Sequence, residues 1–385
     1  MRQKAMWIYP WDLMEVNIDD VVSHLAEEIG INTLSLATAY HSVEHLRPLA
    51  IGEKVFRSPK ASLYFQPRSD FYRQTRLEPN IHSLVQDVSI LPRFVSSCRS
   101  NGIKPKSWTV YLHNSYLGTQ YPDCVQQNVY GDHYTYALCP ANPDVRAYAI
   151  ALSEALQNQG MEIIEIESLS YMGFGHAHYH SKLGVDFGGA KPLFDLCFCT
   201  ACRQRSQQAN IDVPSLMANV RKALDLVLSQ GRTDLSWDDY LSQITNLTDY
   251  IQMQEQVVQS LLLEISETVS CELNFILMGT GLNAPKIAEI SDKVEILAYT
   301  ANPAQVTRVV ESRMKELTSV DQLVVGYSVY GASTPNAETL EQTVGAAIEI
   351  GVKHFSFYNY GIMPPSHLAW LKQAIQQIDA VGIYP

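Results

Sequence analysis

The length and composition of the chain argue for a folded protein with a large core. It has 385 residues, of which 46% are hydrophobic and 18% charged, and this excludes an intrinsically disordered chain. A net charge of −12 without any run of basic residues argues against nucleic acid and anionic membranes as partners.

The sequence shows no sign of a membrane segment. No stretch reaches about 18 uncharged apolar residues, and Met1 to Pro10 lack the apolar run of a signal peptide. We therefore expect a cytoplasmic protein, and the oligomeric state stays open.

Short β-rich segments alternate with helical ones along the chain, which predicts an α/β protein built as a (β/α)8 TIM barrel. Eight parallel strands can close into a barrel without edges. We expect one domain over residues 1–385. The predicted strands are Ala5–Pro10, Asn32–Thr38, Ser107–Leu112, Glu162–Ser168, Leu273–Gly279, Val294–Thr300, Leu323–Ser328 and Lys353–Asn359.

Helices are predicted between the strands, and two begin at an asparagine that can serve as N-cap, Asn302 and Asn336. Glycines follow where several should end, including Gly30. The predicted helices include Asp19–Ile29, Pro143–Gln157, Pro303–Leu317, Ala337–Ile350 and Ser366–Ile378.

Two segments exceed a minimal barrel. After strand two, Tyr40–Arg76 predicts a long loop over the carboxyl ends of the strands, with an extra strand at Ser62–Gln66. After strand four, residues 203–269 predict a helical insertion, in which Ser236 and Asp239 have the spacing of a capping box.

The fourth strand carries the strongest catalytic candidates, Glu165 and Glu167. Residues two apart on a strand face the same side, so we expect both carboxylates to enter the barrel mouth. Two crowded carboxylates raise the pKa of one of them, which suits a general acid. The alternative is that one glutamate pairs with a basic residue and only stabilises the barrel.

Aromatic and polar residues end most of the other strands. Aromatic rings with a few polar groups suit sugars, whose C–H faces pack on rings while their hydroxyls form hydrogen bonds. The candidate substrate-binding residues are Tyr40, His41, His113, Asn114, His176, His178, Tyr299 and Tyr358.

Three histidines at alternate positions, His176, His178 and His180, follow strand four. In an extended segment they could bind a divalent metal. They could equally bind sugar hydroxyls or a carboxylate, or belong to a polar loop without a role.

The cysteines Cys197, Cys199 and Cys202 have C-x-C-x-x-C spacing, which suits three corners of a tetrahedral zinc site. Cys139 is our choice for the fourth ligand, and Cys124 is the second choice. The alternative is a set of buried free thiols.

Three features follow one another in the chain: Leu138–Arg146 (LCPANPDVR), a strand that ends in Glu167, and the cysteine cluster. This order resembles family 42 β-galactosidases and hypothetical glycoside hydrolase-like barrels, over roughly Cys139–Arg203. The resemblance implies that Glu167 is the acid/base and that Cys139, Cys197, Cys199 and Cys202 bind zinc.

The predicted seventh strand departs from that family, because Val325–Tyr330 lacks a carboxylate where its retaining enzymes have a nucleophilic glutamate. The positions of Glu165, Glu167 and Tyr299 are instead similar to those of chitinase-like barrels. In those enzymes the acetamido group of the substrate attacks, and no protein nucleophile is needed.

The sequence thus favours a glycoside hydrolase-like enzyme acting on a small carbohydrate, with Glu167 as general acid/base and Glu165 assisting. We expect a structural zinc and no organic cofactor. Two other hypotheses keep the barrel: a metal-assisted sugar isomerase, lyase or amidohydrolase that uses the histidine loop, and a carbohydrate-binding protein without catalysis.

Overall fold

A closed barrel of eight parallel strands forms the centre of the protein in the computed structural model, which describes residues 2–87, 90–175 and 182–380. Strand β1 pairs with both β2 and β8, and this closes the barrel. The predicted fold class is confirmed, with strand ends shifted by at most three residues. The barrel strands are β1 Lys4–Ile8, β2 Thr33–Tyr40, β3 Lys104–Val110, β4 Ile163–Glu167, β5 Glu272–Ile276, β6 Lys293–Leu297, β7 Leu323–Ser328 and β8 His354–Tyr358.

Helices surround the barrel. The first, Ile18–Ser23, continues as a π-helical turn, His24–Ile29, and short 3-10 turns lie at Pro10–Asp12, Ser69–Gln74, Pro122–Cys124, Gly188–Ala190, Val320–Gln322 and Gly331–Ser333. No helix in the described part of the chain is both long and apolar enough to cross a membrane. The remaining α-helices are Leu84–Asp87, Ile90–Ser100, Ser115–Gln120, Pro143–Asn158, Lys191–Asp195, Thr200–Gln208, Val213–Gln230, Trp237–Gln243, Leu247–Thr268, Ala284–Ile290, Pro303–Met314, Ala337–Glu349 and His367–Ala380.

The predicted helix starts follow from capping. The Asn302 side chain accepts a hydrogen bond from the Ala304 amide at 3.0 Å, and Asn336 accepts one from Thr339 at 2.9 Å. Ser236 and Asp239 form the predicted capping box. Gly30 ends the first helical segment with a φ of +89°, a conformation that favours glycine.

The segment after β2 is more regular than a loop. Val43–Leu46 and Val55–Ser58 form an antiparallel hairpin. The predicted extra strand is reduced to Ser62–Leu63, which pairs antiparallel with the end of β2. A second hairpin, Val125–Gln127 with His133–Leu138, follows β3 and was not predicted.

The predicted helical insertion after β4 has two parts. Its last helix, Leu247–Thr268, packs on Pro143–Asn158, and Arg146 forms an ion pair with Glu264 at 2.6 Å between them. That helix therefore belongs to the ring around the barrel. The helices before it, from Thr200 to Gln243, are the added part.

Polar side chains fill the inside of the barrel, where TIM barrels usually carry branched apolar residues. Lys106 of β3, Glu165 of β4 and Glu295 of β6 are fully buried in its middle layer. Ser356 of β8 is also fully buried in this layer. Two residues after Lys106, Glu165 and Ser356, the side chains of Trp108, Glu167 and Tyr358 form the top layer, at the carboxyl ends of the strands.

Candidate active site

A cavity of about 200 Å³ opens at the carboxyl ends of the strands, and Glu167 lies in its wall. The Trp108 and Tyr358 rings meet edge to face, with centroids 5.7 Å apart. Because aromatic faces pack well on sugar C–H groups, the wall suits a carbohydrate ring. The other residues of the wall are Trp7, Tyr40, Trp108, Ile276, Met278, Leu297, Tyr299 and Tyr358.

Glu167 is the carboxylate of this cavity wall among the described residues. Burial raises its pKa to about 7, and the charge of Glu165 acts in the same direction. The indole N–H of Trp108 donates a hydrogen bond to Oε2 of Glu167, which partly offsets that rise. Glu167 is therefore poised to exchange a proton near neutral pH.

Glu165 lies one layer deeper and is fully buried. It forms an ion pair with Lys106, and its Oε2 accepts hydrogen bonds from Trp7 at 2.5 Å and Ser35 at 2.6 Å. Asn274 donates to the other oxygen at 3.1 Å. Glu165 therefore does not line the cavity. Its paired, buried carboxylate fits the alternative interpretation of the sequence, in which one glutamate pairs with a basic residue and stabilises the barrel.

A second buried carboxylate, that of Glu295, also contacts the Lys106 ammonium. Lys106 lies 3.4 Å from it, and Asn274 and Ser356 also donate to its oxygens. Burial raises the pKa of Glu295 to about 8, despite the nearby Lys106, and Glu165 adds to the rise. One ammonium thus neutralises one carboxylate, and the second is favoured in its protonated form.

Three predicted substrate-binding tyrosines, Tyr40, Tyr299 and Tyr358, line the cavity with Glu167. The phenol of Tyr9 connects two of them, at 3.2 Å from the Tyr40 oxygen and 2.7 Å from the Tyr358 oxygen. Burial raises the pKa of all four phenols, so they act as neutral hydrogen-bonding groups.

His41, His113 and Asn114 lie beside the cavity and not in its wall. The His41 ring lies next to the rings of Tyr40 and His113, tilted by 31° to each, with centroids 4.2 and 4.7 Å away. Asn114 caps the helix Ser115–Gln120 by accepting a hydrogen bond from Leu117 at 2.9 Å. His176, His178 and His180 lie outside the described residues, so the metal-dependent hypothesis stays a prediction.

Three other acids could in principle act as a second catalytic carboxylate, Asp12, Asp132 and Asp186, but none of them lies in the cavity wall. Asp12 is half-buried beside Gly361 and accepts a hydrogen bond from the Tyr9 amide at 3.1 Å; burial raises its pKa to about 7. Asp132 is bound by Asn128 at 2.9 Å within the second hairpin. Asp186 accepts a hydrogen bond from the Gly188 amide at 3.1 Å.

Sequence reasoning missed the two tryptophans of the wall, Trp7 and Trp108, and the buried Lys106. The alternation of side chains along β3 could have indicated that Lys106 and Trp108 also face the barrel interior. Lys106 and Trp108 are two apart, and Trp108 pairs in register with Glu165.

Cys139, Cys197, Cys199 and Cys202 form a buried cluster whose sulfur atoms all lie within 4.8 Å of one another. The Sγ atom of Cys139 is 3.5 Å from those of Cys199 and Cys202 and 3.8 Å from that of Cys197. Zinc–sulfur bonds of about 2.3 Å place tetrahedral sulfurs about 3.8 Å apart, so the four thiols fit such an ion.

Neighbouring groups support this cluster. The Gln127 amide donates to Cys197 Sγ at 3.4 Å, and the Tyr171 hydroxyl lies 3.3 Å from Cys202 Sγ. Such contacts orient sulfur ligands. Cys124, the second choice for the fourth ligand, lies outside the cluster, and its sulfur accepts a hydrogen bond from Arg76 at 3.1 Å.

Comparison with known proteins finds similarity in the fold but not in the sequence. No protein-family model matches the sequence, and none of the curated proteins is significantly similar to it. Solved structures do match over nearly the whole chain. The fold of this chain is similar to the fold of these solved structures.

Two of these structures are β-galactosidases. That of the psychrophilic Marinomonas ef1 has a TM-score of 0.60 at 10% identity, covering 99% of this chain and 61% of that enzyme. That of the Antarctic haloarchaeon Halorubrum lacusprofundi has a TM-score of 0.60 at 12% identity, covering 98% and 58%.

A third match is α-L-fucosidase isoenzyme 2 from Paenibacillus thiaminolyticus, with a TM-score of 0.60 at 10% identity, covering 99% of this chain and 50% of that enzyme. The chain therefore spans between half and about three fifths of the length of these enzymes. At such low identity the likeness establishes the fold alone.

Proposed function

We propose that this protein is a glycoside hydrolase-like enzyme that acts on a small carbohydrate, with Glu167 as general acid/base. One observation carries the proposal: a carboxyl group with a pKa of about 7 lies in an aromatic cavity at the carboxyl ends of the barrel strands. That end of the barrel is where TIM-barrel enzymes place their active sites.

The surroundings of Glu167 suit proton transfer to a glycosidic oxygen. Trp108 donates to Oε2, which leaves Oε1 to carry the proton. As the glycosidic bond breaks, Glu167 would protonate the leaving oxygen, and its carboxylate would then take a proton from the incoming water. Tyr299 and Tyr358 stack with centroids 6.1 Å apart and would hold the sugar ring against the acid.

We propose that the substrate, and not the protein, supplies the nucleophile. Glu167 has no second carboxylate beside it among the described residues of the wall, whereas retaining enzymes place two carboxyl groups about 5 Å apart. Glu165 is saturated by Lys106, Trp7 and Ser35. We therefore propose an acetamido sugar, whose own amide oxygen can attack the anomeric carbon.

The same observation favours a second candidate, a carbohydrate-binding protein without catalysis. An aromatic cavity with one glutamate can hold a sugar by ring stacking and a hydrogen bond to a hydroxyl. Turnover separates the two candidates, because both predict binding.

We further propose that the four cysteines bind a structural zinc ion. All four donors are buried sulfur atoms of the protein, so the site has no open position for a substrate. The ion would tie Cys139, which follows β3, to the segment Cys197–Cys202, which follows β4.

The test is a screen of the purified protein against aryl glycosides, with and without a 2-acetamido group, and against natural oligosaccharides. We expect turnover of the acetamido substrates, reduced by about a hundredfold or more in Glu167→Gln. Glu162→Gln is the matched control, because Glu162 is exposed and lies 3.6 Å from Arg99 outside the barrel.

Saturable sugar binding without turnover in the wild-type protein would contradict the enzyme and support the binding protein. Turnover restricted to substrates without an acetamido group would contradict the substrate-supplied nucleophile alone. Equal activity of Glu167→Gln and Glu162→Gln would remove Glu167 from the reaction.

A further inference from the structure

A second cavity, of about 320 Å³, lies at the amino-terminal ends of the strands, opposite the Glu167 cavity. Its wall includes the first residues of several barrel strands, among them Lys104 of β3, Glu272 of β5, Lys293 of β6 and His354 of β8. Arg2 and Gln3, just before β1, complete it. This wall is rich in positive charge.

The positive charge is only partly neutralised. Glu272 lies 3.7 Å from Lys104. Within the described parts of the chain, Arg2 and Lys293 have no carboxylate oxygen within ion-pair distance, and Asp321, near Lys293, is bound to Lys353 at 2.7 Å. Two cationic groups thus line the cavity without an ion-pair partner among the described residues.

His354 shows that the cavity requires an acceptor. The backbone N–H of Gln3 donates to its Nδ1 at 3.0 Å, so a neutral ring carries its proton on Nε2. That nitrogen lies 3.2 Å from the Nζ atom of Lys293, which is also a donor. Burial and the charge of Lys293 lower the pKa of His354 to about 4, so the ring is neutral at pH 7.

The Lys293 ammonium also donates to the backbone oxygen of Asp321 at 2.5 Å. Two donors, the ammonium and the Nε2–H group, therefore face each other with no acceptor between them. An oxygen atom that accepts from both would remove this conflict.

Gln3 adds an independent observation. The residue is 92% buried and lines the same cavity, and its side-chain amide nitrogen has no hydrogen-bond partner among the described residues. An unpaired buried donor destabilises the folded state, so such groups usually have a partner. A ligand oxygen in this cavity would supply one.

We propose that the amino-terminal end of the barrel is a binding site for a small anion of the phosphate class. Lys293, Lys104 and Arg2 supply the charge, and the His354 Nε2–H and the Gln3 amide supply neutral donors. Phosphate oxygens can accept several such bonds at once. The volume of the cavity also accommodates a phosphomonoester, and the site does not depend on the function proposed for Glu167.

The test is titration calorimetry of the full chain with inorganic phosphate in a buffer free of other oxyanions. Wild-type protein should bind phosphate at millimolar concentration or below, and K293Q should bind at least about tenfold more weakly, a loss of about 1.4 kcal/mol. K286Q is the matched control, since Lys286 forms an exposed ion pair with Glu289 at 2.8 Å and lies outside the cavity wall. Its affinity should stay within about twofold of wild type.

K104Q provides a second reading in case K293Q folds poorly, and it should also weaken phosphate binding. A parallel titration with glycerol 2-phosphate identifies the source: tighter binding of the ester indicates a phosphorylated metabolite, and tighter binding of phosphate indicates the free ion. No heat of binding to the wild type, or equal weakening in K293Q and K286Q, would overturn the proposal. So would equal binding of chloride and phosphate.

Discussion

Lys106 and Glu165 form an ion pair in the middle of the barrel with both side chains fully buried, one layer below Glu167. Glu295 lies on the other side of the same ammonium. The charge of the barrel interior is therefore balanced by groups on three different strands, β3, β4 and β6. This layer lies directly below the cavity of the proposed active site.

Replacing Lys106 by methionine should lower the free energy of unfolding by about 3–5 kcal/mol, because Glu165 would lose its buried partner. Urea unfolding followed by circular dichroism measures the change. Lys353→Met is the control, since its ion pair with Asp321 is half exposed and should contribute at most about 1 kcal/mol. Equal losses in the two variants would show that the buried ion pair contributes no more to the free energy of unfolding than the exposed one.

Glu295→Gln should flatten the pH dependence of stability. The pKa of Glu295 is raised by burial to about 8, so its protonated form stabilises the folded state. That contribution is complete below the ordinary glutamate pKa of about 4.3 and is lost as the pH rises through about 8. The free energy of unfolding of the wild type should therefore decline across this window more steeply than that of Glu295→Gln. Parallel curves would contradict the raised pKa.

Trp108→Phe should raise the pKa of Glu167, because the indole hydrogen bond to the carboxylate stabilises its charged form. We expect a shift of about half to one pH unit, read from the carboxyl carbon signal of Glu167 by NMR and assigned with Glu167→Gln. Trp11→Phe is the matched control, since the Trp11 indole donates to His45 at 2.6 Å and not to Glu167. A pKa that falls, or that shifts equally in both variants, would refute this role of Trp108.

Metal analysis should find about one zinc ion per chain in protein purified without chelators, and the ion should be lost in Cys199→Ser. Cys271→Ser should keep the metal, because Cys271 lies outside the cluster. Thermal unfolding after exhaustive chelation should begin at a lower temperature than in untreated protein. Metal-free wild-type protein with unchanged thermal stability would show that the four cysteines are free thiols.

The regular features of the fold could be predicted from local sequence. All eight strands were predicted from short β-rich runs, and helix ends followed from Asn302, Asn336 and Gly30. The cysteine spacing also indicated a cluster, because three of its four sulfurs lie within six residues of one another, Cys197–Cys202. These features depend on contacts between near neighbours in the chain.

The sequence by itself therefore determined the barrel, the face of β4 that carries Glu165 and Glu167, and the cysteine cluster. Only the tertiary structure decided which of the two glutamates reaches the cavity. Strand parity assigns a side but not a depth, and residues two apart are about 6.6 Å apart along the strand. The depth depends on strand tilt and stagger when the barrel closes. Closure places Lys106 and Glu295, 59 residues before and 130 residues after Glu165, around its carboxylate, and leaves Glu167 at the mouth.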